Sequence, residues 1–497
     1  MNAHSLKLRA LSGMRWTVSA RLFVQLITWP STIIVMRLLE PHDYGIVAMS
    51  TVVIGFVGLF GEPGIAASLV QTQELSEETA RAASGVLGVV NLILLAGLVV
   101  AAPSIASWYR EPQLTHVIRV ASLSLLMTAI ATVPQAQLER HLHFRELAWA
   151  LVAANLAGSL VTIGCALAGF GVWSLVVGSL VIAAVRSLVT IAYNGSPVWP
   201  DFSRGIQPVR HMLHFSAHML GNRILWYWTM NLDLVILGRL VHSTQIGAYS
   251  VGANLASIPG DKAMDAVNRV SFPTLSRLRP NRAQFNSAYE RILRMLSLYG
   301  FLVGWGLAAV APEFVHVVLS DKWQQAIVPL TMLSLAAPLR IITAFQNTVN
   351  NAAGMPQATS RVLAVTSVAL PLGILLGARL GGINGAATSW IIVYPLLFLI
   401  STIYTCRVTE RSLLGNLHLT FIPFLAGSCM LLVTFLVRNL LAAHLPVIAL
   451  MGVEIAAATA TFLATVHLLG RHILQDALGI LRDLLRPGRT ATPETAT

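Results

Sequence analysis

Three arginines lie inside apolar stretches of this sequence, where a positive charge is costly to place. They are Arg21 in "RWTVSARLF", Arg223 in "GNRILWYW" and Arg340 in "AAPLRIITAF". An arginine at the centre of a bilayer costs roughly 2.5–3.5 kcal/mol even on the lenient insertion scale, and it usually faces a water-filled cavity or a partner. Because a guanidinium pairs two oxygens at once, the three arginines predict a site for an anionic group such as a diphosphate or a sugar carboxylate.

A second interpretation of Arg21 and Arg223 is that each one snorkels from a helix end to the inner headgroups. The two residues are 202 positions apart, and the same offset relates "MRLLEPHDYGIV" at 36–47 to "GRLVHSTQIGAY" at 238–249. The presence of an arginine at both places in this repeat favours the cavity. Arg340 lies near the middle of its apolar run, just after Pro338, and snorkelling is harder from that depth.

Two acidic residues inside apolar runs are candidates for ion coupling or gating. Asp233, in "MNLDLVILG", would either pair with an arginine or bind a proton or a sodium ion. Glu62 stands beside Pro63 in "LFGEPGIAAS", where a helix must break. A gating role for Glu62 competes with simple accommodation of the kink.

Asp261, Lys262 and Asp265 fall within one helical turn of "SIPGDKAMDAV" and are a further candidate for ion coupling or gating. A mutually neutralised set near the cytoplasmic mouth is an equal alternative for these three residues. Two other charges are expected to be structural. Arg186 would snorkel from the sixth apolar run, and Glu454 in the last run would pair with a neighbouring helix.

Neither a metal site nor a catalytic motif is predicted. His211, His214 and His218 share one helix face at a spacing that a metal could use. No carboxylate or cysteine accompanies them, so a polar strip is favoured. The sequence contains no P-loop, GxSxG or HExxH motif, and no GxGxxG in a strand–turn–helix context. We therefore expect no enzymatic activity and no cofactor.

The composition defines the elements that must carry these residues. Of the 497 residues, 55% are hydrophobic and 11% are charged, whereas a soluble domain is typically about 45–50% apolar and about 25% charged. Apolar runs of about 20 residues, the length that spans a bilayer core about 30 Å thick, recur along the whole chain. The sequence therefore predicts an all-α polytopic membrane protein with about fourteen transmembrane helices.

The net charge of +12 is best explained by basic loops that face anionic membrane lipids, so no nucleic-acid partner is expected. If the N-terminus is cytoplasmic, lysines and arginines such as Lys7, Arg140 and Arg277 concentrate in the inner connections. This positive-inside pattern predicts that both termini are cytoplasmic.

The repeated turn predicts how the helices are organised. Six predicted spans separate the two copies, and because six is even, both copies enter the membrane from the same side. The sequence thus predicts two six-helix bundles, at 1–200 and 205–405, related by a pseudo-two-fold axis along the membrane normal. Two additional transmembrane helices are expected at 412–470, and a cytoplasmic amphipathic tail at 471–497. Paired bundles of this kind usually hold substrate at their interface and alternate its access to the two sides.

Five segments carry a resemblance to a known family: "SGMRWTVSARL", "RLLEPHDYGIVAMS", "GEPGIAASLVQ", "GAYSVGANL" and "VSFPTLSRL". They resemble the Wzx-type polysaccharide flippases, the polysaccharide transporter branch of the MOP superfamily. The resemblance implies a multi-pass protein of the bacterial inner membrane. It also implies that the protein flips undecaprenyl-diphosphate-linked oligosaccharide units for exopolysaccharide, capsule or O-antigen synthesis, with a polysaccharide polymerase and a chain-length regulator as partners.

Three other functions stay open at the level of sequence. A MATE-like small-molecule exporter shares the implied fold, but it would be expected to have twelve spans and carboxylates for cationic drugs. A polysaccharide polymerase generally needs a large periplasmic loop, and the predicted outer connections of this chain are short. A structural scaffold for a synthase complex would tolerate neutralisation of Arg21, Arg223 and Arg340.

Overall fold

The computed structural model describes residues 3–62, 64–71, 76–195 and 210–470. Most of the predicted linker between the bundles and the whole predicted tail at 471–497 lie outside these residues, as do the side chains of His211, His214 and His218. The described residues form helices and contain no strand. The prediction of an all-α protein is therefore confirmed.

Seventeen α-helices follow one another in the described part of the chain. They are α1 (Ala3–Leu38), α2 (Pro41–Gly61), α3 (Ile65–Gln71), α4 (Glu77–Tyr109), α5 (Leu114–Ala121), α6 (Leu123–Arg140), α7 (Phe144–Leu167), α8 (Val172–Asn194), α9 (Arg210–Leu240), α10 (Ser243–Leu278), α11 (Arg282–Gly300), α12 (Gly306–Ala309), α13 (Ala311–Phe314), α14 (Ile327–Ala352), α15 (Pro356–Thr409), α16 (Leu413–Leu441) and α17 (Val447–Leu469). Two π-helical segments, Phe301–Trp305 and Val315–Leu319, flank α12 and α13.

The number of long helices agrees with the fourteen predicted spans. Among the described residues, eleven helical segments are long and apolar enough to cross a membrane. One of them, α15, has 54 residues and contains two helices, because the backbone leaves helical geometry at Gly381 and Gly382. Helices α9 and α10, with 31 and 36 residues, also exceed the length of about 20 residues that a bilayer requires. Counting α15 twice and adding α9 and α10 gives fourteen.

Two tight bends between neighbouring helices share one backbone conformation that requires glycine. Gly171, between α7 and α8, has φ 54° and ψ −128°. Gly382, between the two halves of α15, has φ 57° and ψ −138°. This region of backbone space is almost closed to residues with a Cβ. Gly382 is therefore the structural counterpart of Gly171 in the second half of the chain.

The chain divides into two compact units, Met1–Ser250 and Val251–Thr497. In the first unit, α7 packs against α1 and α8, and α6 packs against α4 and α8. In the second unit, α14 packs along α15 and α11, and α16 pairs with α17. The buried face of α4 consists largely of small residues, including Ala80, Ala83, Ala102 and Ala106. Small residues let membrane helices approach closely, since apolar burial by itself does not drive their association in lipid.

The two copies of the repeated turn pack against each other within the first unit. A Cβ added to Gly45 would meet the carbonyl oxygen of Ser243, and a Cβ added to Gly247 would meet the carbonyl oxygen of Pro41. Ser243 is the counterpart of Pro41 at the offset of 202 residues, so the two contacts are equivalent under the repeat. His42 adds a 2.6 Å hydrogen bond between its Nδ1 and the Oγ of Ser243. Glycine is needed on both sides because the backbones touch.

Candidate functional site

Helix α2 breaks at Glu62, where the sequence predicts a kink. The helix ends at Gly61, and Glu62 has φ −133° and ψ 73°. The next helix, α3, begins at Ile65. A break at this place leaves main-chain carbonyl groups without helical partners. Within a membrane these carbonyls need donors from neighbouring helices, because lipid supplies none.

Two side chains from other helices supply those donors. Asn91 on α4 is 4% exposed, and its Nδ2 donates to the carbonyl oxygen of Gly61 at 2.8 Å. Arg223 on α9 donates from Nη1 to the carbonyl oxygen of Glu62 at 3.2 Å. The structure thus brings together Arg223 and Glu62, two of the residues that the sequence singles out. Arg223 stays exposed while it makes this contact.

Three further polar side chains from α6 and α8 extend the network around Glu62. The Glu62 carboxylate interacts electrostatically with Arg223, Arg186 and Glu139. Arg186 donates to Oε1 of Gln135 at 3.2 Å, and Gln135 donates to Oε1 of Glu139 at 2.9 Å. Two guanidinium groups and two carboxylates therefore interact near this break. The fork of Arg223, which contacts the break directly, can bind an anion with more than one oxygen.

We call Glu62, Asn91, Arg186 and Arg223 the helix-break site. Sequence reasoning predicted that Arg186 snorkels, assigned it no site role, and did not single out Asn91. A lone asparagine within the apolar run "VLGVVNLILLAG" is itself a signal, since polar residues inside membrane helices usually have a partner there. Which partner it meets depends on how α4 packs against α2.

An apolar groove begins one helical turn along α9 from Arg223. At its end, the hydroxyl of Tyr227 donates to the carbonyl oxygen of Val52 at 2.8 Å. Beyond Tyr227, helices α2, α4 and α9 line an open cavity of about 750 Å³. Its walls are apolar and aromatic side chains, with Ser104 and Asn231 as the polar members besides the tyrosines. We call this cavity the α2–α4–α9 groove.

Arg340 lies in the second unit and is held by two aromatic rings. Its Cζ atom is 4.8 Å from the centroid of the Trp390 ring, and its guanidinium interacts electrostatically with Tyr394. Trp390 and Tyr394 stack on each other at 5.4 Å, with ring planes 5° apart. Both rings are buried, whereas Arg340 is half-buried. Cation–π contact fixes the guanidinium plane, and a planar fork fixed in this way is suited to pairing with an anion.

The remaining positively charged candidate of the first unit, Arg21, lies exposed on α1. It makes no hydrogen bond or ion pair with any residue in the described part of the chain. Asp261, Lys262 and Asp265 lie exposed on α10. No ion pair joins these three to each other or to another described residue, so the mutually neutralised set considered from the sequence is not formed.

Asp233 is the buried acidic candidate, with 8% of the residue exposed. Its Oδ2 accepts a 2.9 Å hydrogen bond from the hydroxyl of Tyr249, a fully buried residue on α10. Its Oδ1 accepts from the main-chain N–H of Leu234 at 2.8 Å. The carboxylate therefore links α9 to the first turns of α10.

A buried charge cluster lies in the second unit, where the sequence predicts that Glu454 pairs with a neighbouring helix. Arg438 on α16 donates from Nε to Oε1 of Glu454 on α17 at 3.1 Å. Its Nη2 donates to Oε2 of Glu313 at 2.6 Å. Glu454 is fully buried and Glu313 is 6% exposed. The prediction for Glu454 is confirmed, and Arg438 ties the α16–α17 pair to α13.

Among the described residues, no three histidine, cysteine, aspartate or glutamate side chains form a group that could hold a metal ion. The side chains of the three histidines that share a helix face lie outside the described part of the structure.

Comparison with curated proteins identifies relatives in polysaccharide biosynthesis. The chain is 26% identical over 486 residues to the succinoglycan biosynthesis transport protein ExoT of Rhizobium meliloti (strain 1021), covering 97% of this chain and 96% of that protein. It is 24% identical over 432 residues to the lipopolysaccharide biosynthesis protein WzxC of Escherichia coli (strain K12), covering 84% of each chain. These relatives confirm the resemblance to Wzx-type transporters.

The fold also matches a solved structure along nearly its whole length. The lipid II flippase MurJ, in an inward closed conformation, superposes with a TM-score of 0.73 at 13% sequence identity, covering 95% of this chain and 100% of that one. At this identity the match establishes a shared fold. Residues 34–328 match the family described as "Polysaccharide biosynthesis protein". Since this match covers more than half of the sequence, the chain belongs to the polysaccharide biosynthesis protein family.

Proposed function

We propose that this protein translocates undecaprenyl-diphosphate-linked oligosaccharide units across the bacterial inner membrane, for the synthesis of an exported polysaccharide. Two curated relatives that span most of the chain are named for the biosynthesis of surface polysaccharides, and one of them is named a transport protein. The observation that carries the proposal is the position of Arg223. This residue lies in a long helix, exposed, with its guanidinium directed at a broken helix end and with Arg186 nearby.

The anionic diphosphate is the part of the substrate that this site would recognise. An arginine fork pairs two phosphate oxygens at once, and a discontinuous helix is a common way to build a transporter binding site. We assign Arg21, Arg223 and Arg340 to substrate binding along an arginine-lined central cavity. Arg21 is exposed and has no hydrogen-bond or ion-pair partner among the described residues, and Arg340 has aromatic support. Both observations are consistent with this role.

We assign the acidic candidates to gating and ion coupling. Glu62 would act in gating, since its main-chain contact with Arg223 joins α9 to the break between α2 and α3. Asp233 would respond to a coupling ion through its bond to Tyr249, which joins α9 to α10. Asp261, Lys262 and Asp265 are exposed charges on α10 and would contact the ion or the substrate from there.

We infer alternating access of two repeated six-helix bundles, at 1–200 and 205–405, with additional helices at 412–470. The equivalent contacts of Gly45 with Ser243 and of Gly247 with Pro41 support a two-fold relation between the repeated turns. With both termini cytoplasmic, these turns lie on the periplasmic side. A closed contact between them would shut the outer end of the pathway. A polysaccharide polymerase and a chain-length regulator would act on the flipped product.

Complementation of a strain deleted for this gene tests the proposal. Wild type is compared with Arg21→Ala, Arg223→Ala and Arg340→Ala at matched membrane levels, and exported polymer and carrier-linked oligosaccharide are measured together. We expect loss of polymer, with complete units accumulating on their carrier at the cytoplasmic face. Arg81→Ala is the matched control, since the Arg81 side chain is 54% exposed and, among the described residues, pairs with Glu77 one turn away.

Each outcome separates the competing functions. Normal export in all three variants would reject the arginine assignment and favour a scaffold. Complete units accumulating on the periplasmic face would identify a polymerase instead. An unchanged polymer and carrier pool in the deletion strain would reject a role in this translocation altogether.

A further inference from the structure

The α2–α4–α9 groove is a long apolar space inside the first unit. It has a volume of about 750 Å³, within the range of about 300–1,000 Å³ that is typical of small-molecule sites. Phe56 on α2, Leu98 on α4 and Val235 on α9 mark its three walls. A cavity with so few polar groups suits a hydrocarbon chain better than a sugar.

The groove lies next to the helix-break site along α2 and α9. Arg223 and Tyr227 are four residues apart on α9, so they share one face of that helix. Tyr227 lines the groove, while Arg223 contacts the broken end of α2. On α2, Val52 and Phe56 line the groove and Glu62 follows less than two turns later. The cationic Arg223 of the helix-break site therefore lies next to the α2–α4–α9 groove on the same pair of helices.

This juxtaposition matches an amphiphile with an anionic head and a hydrocarbon tail. We propose that the α2–α4–α9 groove holds the polyprenyl chain of the lipid-linked substrate while its diphosphate lies against Arg223 and Arg186. This inference rests on the proposed function and adds the location of the lipid part. Lipid tails are as apolar as the groove, so moving the polyprenyl chain from lipid into the groove gains little free energy. The groove contributes mainly by fixing the position of the polyprenyl chain. Its effect therefore appears in the rate of transport more than in the affinity for the substrate.

Gly97 offers a direct test, because it lines the groove and a Cβ built on it meets no atom within 4 Å. The side chain of Gly97→Phe therefore starts in open space and can place its ring in the groove. Gly164 on α7 is the matched control: it is also exposed in a long helix, a Cβ there also meets nothing within 4 Å, and it does not line the groove. We expect Gly97→Phe to lose most polymer export and Gly164→Phe to retain it, at equal membrane levels.

A photocrosslinking measurement tests occupancy independently of transport. A photoreactive amino acid is placed at Ala101, which lines the groove, or at Gly164. The purified full-length protein is then illuminated in phospholipid vesicles that contain undecaprenyl diphosphate. We expect the photoreactive residue at position 101 to crosslink undecaprenyl diphosphate well above the molar share of this lipid in the vesicles. At position 164, crosslinking to undecaprenyl diphosphate should only be proportional to that share. Crosslinks at both positions in proportion to lipid composition would overturn the proposal.

The two proposals fail in different ways. If Arg223→Ala abolishes export while Gly97→Phe exports normally, the groove assignment is wrong and the flippase proposal stands. If the deletion strain accumulates no carrier-linked units, the proposed function is wrong. In that case, selective crosslinking at position 101 would still establish a polyprenyl site. If both glycine variants lose export equally, the loss is not specific to the groove and the proposal is rejected.

Discussion

The guanidinium of Arg223 donates to the main-chain carbonyl of Glu62 at 3.2 Å, across 161 positions of sequence. This contact explains how an arginine and a helix break can both be accommodated inside one apolar bundle. The break frees carbonyl groups that lipid cannot satisfy, and the arginine needs a partner for a charge that lipid will not solvate. Each feature offsets the cost of the other.

Replacing Arg223 by lysine separates charge from geometry. Lysine keeps the positive charge but lacks the planar fork that binds two oxygens. We therefore expect Arg223→Lys to export less polymer than wild type and more than Arg223→Ala. Polymer yield at matched membrane levels is the measurement. Arg239→Ala is the control on the same helix, because Arg239 also donates to a main-chain carbonyl, that of Trp108 at 2.8 Å. Equal loss in all three variants would mean that arginine on α9 is needed only for folding.

Removing Asn91 should destabilise the break in α2. Asn91→Ala leaves the carbonyl of Gly61 without its 2.8 Å donor, and an unsatisfied buried polar group costs about 1–3 kcal/mol. Thermal unfolding of the purified protein in detergent should show a lower midpoint than wild type. Asn155 on α7 donates only to Leu151 within its own helix, so Asn155→Ala should shift the midpoint less. Equal shifts would contradict the proposed support of the break.

The buried charge cluster should tolerate complete removal better than partial removal. Arg438→Met would leave Glu313 and Glu454 buried without their shared cation, and breaking a buried pair costs on the order of 3–5 kcal/mol. Apolar replacement of all three residues avoids that cost and is expected to restore much of the lost stability. The midpoints of thermal unfolding of Arg438→Met and of the triple variant, measured in detergent, test this expectation. A triple variant that unfolds earlier than Arg438→Met would show that the cluster stabilises the unit by more than charge balance.

Locking the two repeated turns together should stop transport. The Nδ1 of His42 and the Oγ of Ser243 lie 2.6 Å apart. Cysteines placed at both positions should therefore form a disulfide under oxidising conditions. The background protein has Cys165, Cys406 and Cys429 replaced. Export should fall on oxidation and recover with reductant, if this contact opens during each cycle. The single-cysteine variants are the controls. Unchanged export in the fully crosslinked protein would show that the contact stays closed throughout.

The class of the protein and several of its candidate residues follow from local sequence. The apolar runs, the scarcity of charge and the even number of spans between the two turns predict a helical membrane protein with an internal repeat. These features depend only on what each segment must do in a bilayer, which is why they can be read without knowledge of packing. The break at Glu62 follows in the same way, from the adjacent Pro63.

Partnerships between helices were decided by the tertiary structure. The sequence singles out Arg223 and Glu62 separately, but only the packing of α9 beside α2 joins them, and only the rotation of α4 turns Asn91 toward Gly61. The aromatic support of Arg340 likewise depends on how α14 meets α15. Local sequence determines which residues must find a partner, because an unpaired polar group in lipid is costly wherever it lies. Which partner each residue finds depends on the rotation and register of helices that are distant in the chain.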